Sequence, residues 1–352
     1  MRICFSAGLL AATLTAQAAD VLPRLDAAIP PKMKAAGIPS VSLAVIENGK
    51  IVGVRTWGEQ SAGVPATAET HYNIASLTKP ISAEVVLRLA SQGKLGLDEP
   101  MHTAWVDPDL AGDERHKLLT PRIALSHRTG FPNWRAKSGL AFSRGAPGAQ
   151  YGYSGEGTQY VTNFAERKAG VTLDQLGQQL VFEPAGMTNT RYIEPAELLP
   201  RIAKPHDASG KELTPTLAGK ANAADLVYTT ASDYARFMLE VINDRGLAPQ
   251  IAAERSAIQT DRKAEICKGK LEPTCPLTIG FGLGWEVFNF PDSTILMHTG
   301  RDPGLWTMAF IDRSTRSGAV LLTNSEKGHE VAIAMLENLN INQNFLNFLR
   351  SH

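Results

Sequence analysis

Ser76-Leu77-Thr78-Lys79 is the stretch best placed to do covalent chemistry. Val85, Val86, Leu89 and Ala90 recur at helical spacing behind it, and Gly93 with Lys94 supplies a stop, so the sequence predicts a helix beginning near Ser76. Ser76 and Lys79 then lie one turn apart on one face. An amine there can reach the serine hydroxyl, while the unpaired N–H groups and positive dipole end of the first turn favour a developing negative charge. That is half of an acyl-transfer site. Ser-x-x-Lys is short enough to arise by chance, and the chain holds a second copy, Ser91 to Lys94. It falls at the helix end, where the dipole has the wrong sign and Gly93 breaks the turn, so Ser91 is read as surface.

A serine and a lysine need a proton shuttle and an oxyanion-stabilising strand. In P-G-A-Q-Y-G-Y-S-G-E-G, Tyr153 sits in a glycine-bounded loop just before a helix. A phenol is a weak base at neutral pH, but a nearby ammonium such as Lys79 is expected to lower its pKa, letting it take the Ser76 proton and return it to the leaving group. The plainer reading is a Gly-rich turn with packed tyrosines. His298-Thr299-Gly300 closes a strand signal. Gly300 permits close approach of a substrate backbone, Thr299 offers a hydroxyl, and the Arg301 N–H could join that of Ser76 as an oxyanion hole. His298, positive or neutral, either donates to the substrate or assists Tyr153; taken alone it is as readily structural.

Positioning these residues takes two kinds of element. Val41–Ile46 and Ile51–Thr56 are β-branched runs around Glu47-Asn48-Gly49-Lys50, a hairpin signature. From Ser76 to about Val241 the pattern is helices and loops, with helices near 158–168, 173–181 and 232–241 and a Thr230/Asp233 capping pair. After Gly280 four strand signals separated by turns read as an antiparallel meander. A lone hairpin is marginal and an open meander edge is a liability, so the two should join. The fold class is α/β of the α+β type: an antiparallel sheet built from both chain ends with flanking helices, plus an inserted mainly helical domain. The division is 19–75 and 280–352 for the sheet domain and 76–279 for the helical one. Val21–Ala36 reads as a helix broken or kinked at Pro30 and Pro31, and 331–349 as a closing helix over the sheet. The cleft between the two parts is the expected site, with Ser76 at its floor.

The 352 residues, 43% hydrophobic and 20% charged, suit a large buried core. Lys plus Arg equals Asp plus Glu at 35 each, so no field favours nucleic acid or an anionic membrane. Residues 1–18 carry one basic residue, a short apolar run and small residues at Ala16 and Ala18, the pattern of a cleaved secretory signal. No run spans a membrane. A periplasmic or secreted protein follows, monomeric and acting on a small-molecule substrate. Cys4 leaves with the signal, and Cys267 and Cys275 flank a polar loop suited to a local disulfide. Two cysteines without neighbouring histidines do not close a zinc shell, so neither metal nor cofactor is expected.

Ser76–Lys79, Tyr153-Ser154-Gly155 and His298-Thr299-Gly300 resemble, in order and rough spacing, the serine β-lactamase and penicillin-binding-protein superfamily, in its class C-like branch with esterases, D-aminopeptidases and DD-peptidases. Flanking matches include L-S-H-R-T-G-F-P, F-E-P-A-G-M, Y-T-T-A-S-D-Y-A-R-F and F-G-L-G-W, over about Leu22 to Leu349. The resemblance implies Ser76 as acylated nucleophile, Lys79 as its proton partner, Tyr153 as general base and acid, and His298 to Arg301 as the substrate-lining strand. Two positions depart. Gly155 stands where an asparagine commonly holds a substrate's acylamino group, and His298 where lysine often supplies a fixed charge. Penicillins and peptides should suffer most, and a carbapenem or small ester least. The leading expectation is a β-lactam-hydrolysing serine enzyme. The alternatives are an esterase or D-amino-acid peptidase acting on cell-wall fragments, and a penicillin-binding sensor that acylates without turnover.

Overall fold

The structure is a computed structural model that describes residues 8–351, with side chains from Val21 onward. Cys4, with residues 1–7 of the segment expected to be cleaved, lies outside the described residues.

Among the described residues eleven strands form: β1 (Ser40–Glu47), β2 (Lys50–Ser61), β3 (Val64–Pro65), β4 (Tyr72–Asn73), β5 (Tyr228–Thr229), β6 (Thr260–Asp261), β7 (Thr278–Phe281), β8 (Glu286–Phe290), β9 (Ser293–Asp302), β10 (Leu305–Asp312) and β11 (Ser317–Thr323). Nine of them make one sheet in the order β3-β2-β1-β11-β10-β9-β8-β7-β6. The opening hairpin and closing meander join as expected: β1 pairs antiparallel with β11, Val41 facing Thr323 and Leu43 facing Leu321. Strand alternation sorts the core into two layers. Ala44, Ile46, Ala309, Ile311, Val320 and Leu322 face the helical part, and Val41, Leu43, Met308, Phe310, Ala319 and Leu321 face the terminal helices.

α1 (Gly8–Ala36) runs unbroken through Pro23, Pro30 and Pro31, unlike the interrupted helix expected. Val21, Leu25, Ile29 and Met33 recur every four residues and are each 6% exposed or less, so packing on the sheet holds the helix together despite the lost N–H donors. The closing segment instead divides into two helices, His329–Glu337 and Gln343–Ser351. Asn342 causes the restart: its Oδ1 accepts the N–H groups of Asn344 (2.9 Å) and Phe345 (3.1 Å), an N-cap. Thr230 caps the Ala231–Ile242 helix by accepting the Asp233 N–H at 3.2 Å, but the Asp233 carboxylate does not fold back; it accepts the Asn189 N–H at 2.7 Å.

The middle of the chain is mainly helical, as the pattern indicated. Every residue of α2 (Thr78–Ser91) from Thr78 to Leu89 is buried, so its charges need partners. Glu84 meets Arg255 at 2.8 Å. β4 and β5 pair Tyr72 with Thr229 and Asn73 with Tyr228, which brings the chain around residue 225 beside the Ser76 turn. Because β6 and β7 already belong to the sheet, a boundary at 280 falls within its far edge. The two-part division is kept as a proposal, with the sheet part resuming near Thr260.

Candidate active site

Residues 75–77 form a 3-10 turn that leads directly into α2, close to the expected helix start. Ala75 holds a left-handed φ of 45°, a conformation that side chains other than glycine resist. It is braced from several sides. Asn73 Oδ1 accepts the Ala75 N–H at 2.8 Å, Val227 O accepts the Ile74 N–H at 3.0 Å, Thr307 donates to Ile74 O at 3.0 Å and Tyr234 donates to Leu77 O at 3.1 Å. The turn beneath Ser76 is thus fixed by residues from four separate stretches of chain.

Lys79 Nζ lies 2.8 Å from Ser76 Oγ and 2.9 Å from the carbonyl of Ala224, to which it donates. It sits 4.9 Å from the centre of the Tyr153 ring. Burial lowers the Lys79 ammonium to about 7, against the pull of Asp225 and Asp302, which favour the cation. At neutral pH much of this amine is free to accept a proton. Tyr153 moves the other way: burial raises its phenol above the ordinary value, although a hydrogen bond to Ser76 partly offsets that. The depression expected from Lys79 does not occur, because a buried phenolate loses more solvation than a half-protonated amine returns.

Tyr153 is held by a residue that sequence reasoning left without a role. His127, at φ 56° and 3% exposed, accepts the Gly152 N–H on its carbonyl (2.8 Å) and the Ser154 N–H on Nδ1 (3.2 Å). The loop is clamped on both sides of Tyr153. The imidazole lies 4.4 Å from the phenol ring and 4.7 Å from Phe281, and burial, then Lys79, holds it well below the usual imidazole range. It lies in the L-S-H-R-T-G-F-P stretch, whose resemblance to the family was its sequence signal.

The third motif lies where β9 passes the Ser76 turn. A Cβ at Gly300 would stand 2.3 Å from Thr307 Oγ1 and 2.4 Å from Ile74 O, so the room that glycine leaves is taken by the nucleophile turn itself. His298 is 5% exposed; its Nδ1 donates to Thr299 O at 2.7 Å, and Nε2 is left as an unpaired acceptor. Burial, then Lys79, lowers its pKa to about 3, so it is neutral and supplies no positive charge. Thr299 and Arg301 alternate onto the opposite face, and both are exposed. The pairing of β8 with β9 ends at Met297, so the backbone edge from His298 onward is open on the Ser76 side while β10 holds the other.

Gly155 opens the helix Gly155–Ala169 and donates its N–H to Asn133 Oδ1 at 2.9 Å. Asp225 and Asp302, also unforeseen, hydrogen-bond to one another; burial raises both, Asp302 to about 7, with Asp225 adding to that. They border a cavity of about 310 Å³ with Tyr72, Asn73 and Tyr228. Ser91 is structural: it donates to Leu87 O at 2.9 Å and accepts the Ala248 N–H at 3.0 Å. Cys267 and Cys275 are disulfide-bonded, with Cα atoms 5.9 Å apart, in the segment between β6 and β7.

Comparison with known proteins gives the fold and the family. The chain is 25% identical over 361 residues to the D-alanyl-D-alanine-carboxypeptidase/endopeptidase AmpH of Escherichia coli K12, covering 92% of this chain and 91% of that protein. It is 35% identical over 122 residues to the esterase EstB of Burkholderia gladioli, covering 33% and 31%. The solved structure of a class C beta-lactamase matches with a TM-score of 0.75 at 19% identity, over 92% of this chain and 97% of that one, which places the fold. A profile of the Beta-lactamase family matches residues 25–341: the chain belongs to that family and is a serine hydrolase.

Proposed function

We propose that the protein is an exported hydrolase that works through an acyl-enzyme on Ser76, opening a β-lactam without an acylamino group, such as a carbapenem, or a small ester. The observation that carries this is the buried Lys79 amine, 2.8 Å from Ser76 Oγ with a pKa of about 7. The free amine takes the Ser76 proton as Oγ bonds to the substrate carbonyl. The oxyanion is met by the N–H groups of Ser76 and Arg301. As the carbon–nitrogen or carbon–oxygen bond breaks, the Tyr153 phenol donates its proton to the leaving group and regains one from Lys79. Water then releases the acid from Ser76. His298 packs with its ring centre 6.1 Å from that of Tyr153 and leaves Nε2 open as an acceptor for the substrate, while Thr299, Gly300 and Arg301 form the edge along which the substrate lies.

The esterase reading has its own support. The neutral His298 offers no fixed cation to the carboxylate that β-lactams carry. A D-amino-acid peptidase would need the acylamino contact that Gly155 lacks.

The test is to follow turnover and intact mass together with a carbapenem, a chromogenic cephalosporin, a nitrophenyl acetate and a D-Ala-D-Ala peptide. Carbapenem or ester turnover with a transient adduct on Ser76 is expected. An adduct that never clears identifies a sensor. Ser76→Ala should abolish turnover and adduct alike, and full activity in that variant refutes the assignment.

A further inference from the structure

Gly155 leaves a place beside Tyr153 that an amide side chain could fill, and in this chain that place is not empty. A Cβ at Gly155 would come within 2.8 Å of Trp134 Cη2 and 2.9 Å of Cζ3. The indole therefore occupies the space. It is 44% exposed, and its ring centre lies 5.7 Å from Lys79 Nζ, so one face of a large aromatic group borders the reacting atoms.

An exposed tryptophan is ordinarily mobile, but the loop that carries this one is tied to the helix start on both sides of it. Before it, Pro132 O accepts the Ser154 hydroxyl at 2.7 Å, Asn133 Oδ1 accepts the Gly155 N–H at 2.9 Å and Asn133 O accepts the Glu156 N–H at 3.0 Å. After it, Arg135 donates its N–H to Glu156 Oε1 at 3.1 Å, and its guanidinium pairs with Glu156 at 2.7 Å and Asp107 at 3.0 Å. These contacts satisfy the first orphan N–H groups of the Gly155–Ala169 helix and at the same time fix the backbone of Trp134. On a backbone held this way, only the two side-chain torsions of the indole remain to be ordered when a ligand lies against it. The indole offers a flat apolar surface with one N–H and no acceptor for an amide.

We infer that Trp134 is the specificity-determining residue of the site: it forms a rigid aromatic wall against the acyl part of the substrate and selects esters with a flat or apolar acyl group over substrates with an acylamino arm. The inference rests on the acyl-enzyme reading above. A phenylacetyl group laid along the indole buries apolar area on both partners, whereas an acylamino arm finds no acceptor there for its N–H.

The test measures kcat/KM for nitrophenyl phenylacetate and nitrophenyl acetate, and acylation by an acylamino cephalosporin, in the wild type, Trp134→Phe, Trp134→Ala and Trp134→Ala/Gly155→Asn. The phenylacetate-to-acetate ratio should fall about tenfold in Trp134→Ala, chiefly through KM, and stay within about threefold of wild type in Trp134→Phe. In the double variant, cephalosporin acylation relative to acetate turnover should rise. Ratios that do not move in any variant overturn the wall, provided a fluorophosphonate probe still labels Ser76 by intact mass. Wild-type protein that no ester or fluorophosphonate labels on Ser76 sinks the acyl-enzyme reading, and this inference with it.

Discussion

In the proposed mechanism Lys79 decides when the site is competent. Its amine accepts the Ser76 proton only when unprotonated, and its pKa is lowered to about 7. The sign follows: activity is lost as pH falls and the ammonium forms, and it is gained as pH rises. With a neutral ester, kcat/KM should climb about tenfold per pH unit below that value and level off above it. A pH–rate profile from 5 to 9 checks this, and a flat one removes Lys79 as the acceptor. Tyr153 cannot give that limb, because burial pushes its phenol upward and keeps it protonated across the range. In the proposed mechanism its part is that of an acid, delivering a proton to the leaving group while Lys79 supplies the next.

At the scale of elements, the site exists because β9 lies against the 3-10 turn at residues 75–77. Gly300 makes the contact possible, with Ile74 O and Thr307 Oγ1 both inside the space a methyl group would need. Gly300→Ala must push the strand from the turn. It should cost about 1–3 kcal/mol of stability and also reduce kcat, since Arg301 N–H and Ser76 N–H would separate. Thermal unfolding and ester turnover measured on one preparation test both halves; an unshifted Tm contradicts the packing described. His127 makes the matching contact for the loop, holding Gly152 and Ser154 on either side of the Tyr153 ring.

Across the whole molecule, the helical part and the sheet are joined by Arg255, whose side chain is fully buried. It binds Glu84 of α2 at 2.8 Å, the Val241 carbonyl at 2.7 Å and Asp244, which Arg313 from the β10–β11 turn also engages at 2.9 Å. Removing the cation leaves Glu84 in the core with Arg88, 3.8 Å away, as its remaining charge partner. Arg255→Met should cost about 3–5 kcal/mol, with Glu84→Gln in the same chain recovering part of it. Urea unfolding of the single and double variants measures the coupling. A double-variant loss equal to the sum of the two single losses would mean that the pair does not interact.

How much of this was legible follows from the range of the interactions. Period-2 and helical patterning marked the terminal hairpin, the meander and the Ser76 helix, because burying one face of an element leaves a local imprint. Three short motifs marked Ser76, Lys79, Tyr153 and His298 because side-chain chemistry is written in residue type. The direction of the Tyr153 and His298 shifts was not legible, since desolvation depends on what surrounds a group and no spacing encodes that. The unbroken α1 through Pro30 and Pro31, the Ala224 carbonyl on Lys79, the His127 clamp and the indole beside Gly155 were hidden for the same reason. The sequence alone determined which groups are available for chemistry and which segments build the sheet. Only tertiary structure decided which groups lost their water and what filled each space, because burial and close contact join residues that lie far apart in the chain.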